Sequence, residues 1–258
     1  LSRQDWRALR RWVDADDGRR PPRAGQLMTR NYVPGRYGKR NWVPVPKPDP
    51  HALPTGTPAA GYVSTAKVRL FPGRLGVAYR GRLHETVESS LKELCVPVVD
   101  LPWPVHHFGT LADDPEKSAR YRELARLKTT DMPYDAGAWA ELADWAAACG
   151  DFQEALVAVD RALVLNPNDS DRRLTMGWLL RLVGQLGAAD LQLAAVASNN
   201  QLTDTQLAEA CHLRAEIAIL RQRPDEAASQ LAVALRLYPD NGRYLNTLGV
   251  WHLTMGDR

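Results

Sequence analysis

AGAWAELADWAAACGDFQEALVAVDRALVLNP, residues 136–167, decides the fold. Trp139, Leu142 and Ala143 follow one another at three- and four-residue intervals, the period of a helix face. The pattern breaks at Gly150-Asp151, resumes with Ala155 and Ala162, and closes at Pro167. The same places recur downstream. From Ser170 they hold Met176, Gly177, Gly184 and Ala189; from Ala208, Ala215, Ala227, Leu231, Ala234 and Pro239; from Gly242, Leu245, Leu248, Gly249 and Gly256. The starts at Ala136, Ser170, Ala208 and Gly242 lie 34, 38 and 34 residues apart. A period near 34 predicts paired-helix repeats, each stacking on its neighbour to bury its apolar face.

The spacing has a physical reading. A small residue at the eighth place (Ala143, Gly177, Ala215, Gly249) lets the first helix of a pair approach the second closely, and alanines at the twentieth (Ala155, Ala189, Ala227) do so from the other side. Pro167 and Pro239 stop helices, since proline lacks the N–H and clashes with the preceding turn. Gly150 and Gly256 supply turns that need positive φ. The second repeat lacks the closing proline and is followed by four extra residues, expected within 199–204. This pattern resembles the tetratricopeptide repeat; an ordinary helical bundle with accidental spacing is the competing reading. Arg258 falls near the seventeenth place of the fourth unit and the chain begins with Leu1, so an internal piece of a longer protein is expected.

Length and composition leave room for two modest domains, each with a core. Leu94–Val105 is the apolar stretch of note, but it is short of a membrane span and broken by Pro97, Asp100, Pro102 and Pro104. Three scattered cysteines, Cys95, Cys149 and Cys211, point to reduced thiols and a cytoplasmic protein, or one peripheral to a membrane. Net charge is +3, yet residues 1–50 hold twelve Lys/Arg against five Asp. Arginines among Trp6, Trp12, Tyr32, Tyr37 and Trp42 raise nucleic acid as a partner, but no binding motif accompanies them, so no nucleic acid is expected.

Residues 1–130 read as mixed α/β, and the change to all helix sets a domain boundary near Thr129–Asp135, with the repeats as residues 131–258. Ser2 is the expected N-cap of a helix presenting Trp6, Leu9 and Val13 on one face. A strand is expected over Gln26–Val33, then a proline-broken stretch, Pro34–Gly61, long enough to be a functional loop or lid. Tyr62–Phe71 and Val77–Arg82 read as strands joined at Pro72-Gly73, Glu85–Leu94 as a helix, Val96–Leu101 as a strand and Pro115–Leu127 as a helix.

Lys67-Val-Arg69-Leu-Phe71 followed by Tyr79-Arg-Gly81-Arg-Leu-His84-Glu85-Thr-Val87 resembles the block "VRLF … G-x-hydrophobic-H-E-x-V" of family 2 glycosyltransferases. His106-His107-Phe108-Gly109, then Lys117 and Arg120, is similar to their "H-aromatic-G … K-x-x-R" block. Leu1-Ser-x-x-Asp5-Trp6-x-x-Leu9-Arg10 is similar to the segment following their metal-binding D-x-D. The resemblance covers roughly residues 1–128 and implies the C-terminal part of a nucleotide-sugar-binding GT-A fold. Bacterial members carry tetratricopeptide repeats in the same order.

What the resemblance implies is an inverting sugar transfer from a nucleotide-sugar donor to a glycan or protein acceptor. Such chemistry needs a base on the acceptor hydroxyl and positive charge at the diphosphate leaving group. Glu85 matches the base, with His84 orienting it or the acceptor; its competing role is a carboxylate at a helix N-terminus. His107 matches the histidine that helps hold a divalent metal, Mn or Mg; imidazole suits Mn²⁺ better. Lys117, Arg120 and Arg69 match the diphosphate side, although a solvated helix face explains Lys117 and Arg120 as well. Asp14-Ala15-Asp16-Asp17 imitates a D-x-D, but Ala8–Val13 before it is charged helix and not an aliphatic strand, so a helix end and turn are expected.

These residues therefore imply a glycosyltransferase whose donor-binding half lies outside the 258 residues, which by themselves are expected to be inactive. The competing class is a non-enzymatic repeat adaptor that binds proteins or self-associates through the repeats. A polysaccharide-assembly subunit with a decayed site is a third.

Overall fold

The computed structural model describes residues 3–15, 21–33, 42–45, 59–81, 85–108, 115–199 and 202–256. The chain forms two compact units, Leu1–Asp114 and Pro115–Arg258.

The first unit is a small mixed sheet with a helix on each face. Its elements are α1 (Arg3–Asp14), β1 (Ala24–Val33), β2 (Trp42–Pro44), β3 (Gly61–Leu70), α2 (Glu88–Glu93) and β4 (Val98–His107), with strand order β2-β3-β1-β4. β1 pairs antiparallel with β3, Val33 opposite Gly61, and parallel with β4, Asn31 opposite His107. Side chains alternate across a strand. Leu27 therefore faces α1, where Leu9, Trp12, Leu70 and Leu101 gather, while Ala24 faces the other way with Val68, Val87, Leu91 and Val96.

Several expectations change here. On α1 the packed residues are Leu9 and Trp12, whereas Trp6 is 57% exposed and Val13 also faces outward. Trp12 is drawn in because Gly25 leaves room for its ring. Ser2 lies outside the described residues. Asp14 ends α1 with an ion pair to Arg10 at 3.7 Å, as a helix end would; Asp16 and Asp17 lie outside the described residues. Among the described residues, 77–81 make no hairpin with β3, and Arg82 lies outside them. Gly73–Leu75 forms a 3-10 turn ended by Gly76 at φ 68°, and the chain then makes a single bridge between Arg80 and Thr86. The Pro34–Gly61 segment contributes β2 to the sheet edge, since Pro44 costs no ladder bond at that margin; residues 34–41 and 46–58 of that loop lie outside the described residues.

β4 is longer than expected and runs through Pro102 and Pro104 to His107. It tolerates both prolines because it is the other edge strand, and because its register slips there: Leu27 faces Leu101 but Thr29 faces Val105.

The second unit is all helix: α3 (Pro115–Asp131), α4 (Ala136–Ala148), α5 (Phe152–Leu165), α6 (Ser170–Leu182), α7 (Leu186–Ala197), α8 (Asp204–Leu220), α9 (Pro224–Leu237) and α10 (Gly242–Gly256). From α4 on, these are the helix pairs that the period implies: α4 with α5, α6 with α7, α8 with α9, then α10. Asp135, Asp151 and Asp169 cap α4, α5 and α6 by accepting backbone N–H bonds. The turns sit at place fifteen, with Gly150 at φ 78° and Gly184 at φ 79°. The eighth- and twentieth-place residues Ala143, Ala155, Ala189, Ala215 and Ala227 are all fully buried.

The four extra residues expected after the second repeat, within 199–204, are met instead ahead of the register start at Ala208. They form an added first turn of α8, which starts at Asp204 and is held by a capping box between Thr203 and Gln206. α3 belongs with the repeats. It places Ala125 in the core, packs Tyr121 on Trp145 at 4.8 Å, and joins Lys128 to Glu141 at 2.8 Å and Arg126 to Glu154.

Candidate functional site

The candidate transferase residues are placed as follows. His107 ends β4 and is exposed, with Nδ1 3.1 Å from Asn31 Oδ1. Asn31 is itself fixed by donating to Val63 O and Thr65 Oγ1. His106 Nδ1 meets the Tyr32 hydroxyl at 2.9 Å, and Tyr32 stacks on Phe108 at 4.4 Å. The carboxyl ends of the two parallel strands thus carry an Asn31–His107 pair beside a Tyr32–His106 pair.

Glu85 is exposed and lies three residues before α2, so it does not open that helix. The carboxylate in the first turn is Glu88, which accepts the Val87 N–H at 2.9 Å. Val87 packs with Ala24 at the starting end of β1, whereas His107 pairs with Asn31 near the far end. Gly25 and Asn31 are separated by roughly 20 Å along that strand. The fold therefore anchors the Glu85 segment well away from His107. Arg69 is exposed on β3. His84 lies outside the described residues. Lys117 and Arg120 are exposed on α3, in the second unit, where Lys117 Nζ stands 5.8 Å from the Tyr121 ring centre. Among the described residues no three His, Cys, Asp or Glu side chains gather as a metal centre. No described helix is long and apolar enough to cross a membrane.

The second unit holds a polar system that the sequence alone does not single out. First helices of successive pairs are joined by ion pairs: Arg172 to Asp144 at 2.8 Å, Arg181 to Glu216 at 3.3 Å, and Arg243 to Glu209 at 2.9 Å. Gln206 donates to Asp171, and the Tyr244 hydroxyl donates to Glu209 at 3.2 Å. His212 sits in the middle, buried, with Nε2 2.9 Å from Thr247 Oγ1. That hydroxyl gives its proton to Arg243 O at 3.1 Å, so it accepts from His212, which carries its proton on Nε2. Nδ1 is then a bare acceptor, buried and without a partner among the described residues. Burial, with Arg243 and Arg181 pushing the same way, drives the imidazole down to about 3. His212 is neutral, and its 3.8 Å approach to Glu216 is not an ion pair. Burial also raises the Glu216 carboxyl against the pull of Arg181. The signal in the sequence is the 34-residue echo itself: Gln206, His212 and Glu209 meet partners 34 or 35 residues away.

No family model and no curated protein matches this chain. Among solved structures it is similar to YrrB, a tetratricopeptide repeat protein with an unusual peptide-binding site, at 21% identity over 52% of this chain and 67% of that one, with a TM-score of 0.48. It is also similar to MamA of Desulfovibrio magneticus RS-1, at 21% identity over 55% and 77%, TM-score 0.48. A thermophilic repeat protein of Thermus thermophilus, TTC0263, is similar at 19% identity over 65% and 86%, TM-score 0.44.

Proposed function

We propose that the repeats are a protein-interaction module, whose first-helix layer (α4, α6, α8 and α10) receives a segment of another protein. The observation that supports this is the bonding of first helix to first helix, which makes one continuous surface of the kind stacked repeats use for binding. Its charges are largely paired with one another, which favours a partner segment of low charge recognised through half-exposed apolar groups such as Leu174 and Ile219. The test is selection from a displayed peptide library followed by substitution. Leu174→Glu and Ile219→Glu on the first-helix layer abolish binding of the selected peptide, whereas Val157→Glu and Leu191→Glu, on second helices and 68% and 73% exposed, leave it intact. Failure to select any peptide, or equal loss in both pairs, rejects the reading.

A second reading, for residues 1–130, is the C-terminal part of a family 2 glycosyltransferase using a nucleotide sugar and a divalent metal. It is favoured by the placement of Asn31 and His107 at the carboxyl ends of parallel strands, where open α/β sheets bind ligands. Joined to a donor-binding half, Glu85→Gln removes transfer and leaves donor affinity unchanged, and His107→Ala weakens Mn²⁺ binding. Unaltered transfer and Mn²⁺ affinity in the two variants reject it.

A further inference from the structure

We propose that the first unit holds a binding site for a small phosphate monoester with an apolar body, in the cleft between α1 and the turn that follows β3. The cleft encloses about 350 Å³, the scale of a site for a small organic molecule. Trp12 and Val13 of α1, Leu70 and Phe71 at the end of β3, and the side chains of Arg23 and Arg74 line it. It lies at the starting end of β1, where Gly25 pairs with Leu70, whereas Asn31 and His107 meet near the far end. The proposal therefore rests on neither reading given above.

Packing fixes the floor of the cleft. Trp12 is held against Leu9, Leu27 and Leu101, and its Cη2 comes so close to Gly25 that a Cβ there would lie 3.2 Å away. Arg23 Cζ stands over that ring, 4.5 Å from its centre. A guanidinium held over an aromatic face keeps its planar fork of donors for an acceptor beside the ring. Arg23 is half-buried, and among the described residues no hydrogen bond or ion pair engages its N–H groups. Asp14, the acid next to Val13, is turned to Arg10 at 3.7 Å.

Charge and surface together select the occupant. The described lining residues include two guanidiniums and no carboxylate. Like charges on one wall repel, and a bound dianion relieves both while offering each fork several acceptor oxygens. A monocarboxylate balances one charge of the two. Leu70 and Phe71 are half-buried, and an apolar body laid against them leaves water as the phosphate is bound. Inorganic phosphate leaves that wall wet.

The experiment is isothermal titration calorimetry of the 258-residue chain with phenyl phosphate at pH 8 and low salt. Phenyl phosphate binds saturably at one site per chain. Inorganic phosphate, phenylacetate and benzyl alcohol, each lacking one of the recognised features, bind about tenfold or more weakly. Arg23→Gln weakens phenyl phosphate by a similar factor, and so does Arg74→Gln, at an exposed position where the thermal midpoint stays constant. Arg7→Gln, exposed on α1 and outside the cleft, leaves binding unchanged. Absence of saturable binding overturns the proposal. So does any of the three comparators binding as tightly as phenyl phosphate, undiminished binding in Arg74→Gln, or an equal loss in Arg7→Gln.

Discussion

Gly177 in α6 stands so close to Leu193 in α7 that a Cβ on the glycine would lie 2.6 Å from both Cγ and Cδ2 of the leucine. Leu193 is fully buried, so it has little room to step aside. The close approach is what the eighth-place small residue provides, and it makes Gly177 a packing residue more than a flexible one.

Gly177→Ala should therefore destabilise the helical unit although alanine is the better helix former. Overpacking of a core costs about 1–3 kcal/mol, and the gain in helix propensity offsets up to about 1 kcal/mol. The first pair carries Ala143 and Val159 at the corresponding places, both fully buried. Leu193→Val in the alanine background should then recover most of the loss. Urea midpoints of the single and double variants decide it; a midpoint for Gly177→Ala at or above that of the parent refutes the close approach.

Gln222 offers the opposite case. It occupies the turn place where Gly150 and Gly184 sit, and it adopts φ 56° with a full side chain. The left-handed conformation costs an L-residue roughly 1–2 kcal/mol that glycine escapes. Part of that gain is returned through the freer unfolded chain. Gln222→Gly should raise stability by about 0.5–1 kcal/mol, and Gly184→Ala should lower it by a comparable amount. Thermal unfolding of both variants measures this.

The His212–Thr247 bond predicts a pH response. His212 titrates at about 3 in the folded protein against 6.5 ordinarily. Between those values the unfolded chain takes up a proton that the folded one refuses, so stability falls as pH falls, by about 1.4 kcal/mol per pH unit for one proton. Glu216, whose folded carboxyl is raised, works in the opposite sense as pH falls toward its ordinary range. Comparison with His212→Gln separates the two: the stability difference between parent and variant should change by roughly 1.4 kcal/mol from pH 6 to pH 5. Parallel profiles would reject a buried neutral histidine. Thr247→Val, which leaves Nε2–H without an acceptor, should cost about 1–3 kcal/mol at pH 8.

The repeats are legible in the sequence because their information is local and repeated. The alanines at the eighth and twentieth places of successive pairs (Ala143, Ala155, Ala189, Ala215 and Ala227) are buried alike, so the period appears without knowledge of contacts. The added turn of α8 is not legible because the 34-residue register starts the unit at Ala208, while Thr203 and Gln206 cap a helix that begins four residues earlier. The first unit is harder to read. β4 passes through two prolines, a signal that ordinarily ends a strand, and its edge position becomes apparent only once β1 and β3 are paired. The sequence suggests that Glu85 opens a helix, but the bridge between Arg80 and Thr86 holds that segment in an irregular path and gives the first turn to Glu88. The polar ladder through His212 is hidden because each member looks like an ordinary surface residue until a partner 34 or 35 residues away is stacked beside it.

Arg126 of α3 holds Glu154 of α5 through both Nε and Nη2, the latter at 2.9 Å, while Arg122 reaches Asp151 at 3.5 Å. Together with Lys128 and Glu141 these pairs hold α3 against the first repeat, where it covers a face that would otherwise end the stack in solvent. Arg126 and Glu154 are partly exposed, which limits what the pair adds to about 1 kcal/mol. Glu154→Gln should thus leave the global midpoint nearly unchanged. Its effect should appear locally, because a helix held by few contacts opens before the whole unit does. Amide exchange over Pro115–Asp131 should speed up several-fold while exchange in α6 and α8 stays constant. Uniform acceleration through all the helices would mean that α3 is integral to one cooperative unit, and unchanged exchange in α3 would mean that packing of Ala125 and Tyr121 suffices to hold it.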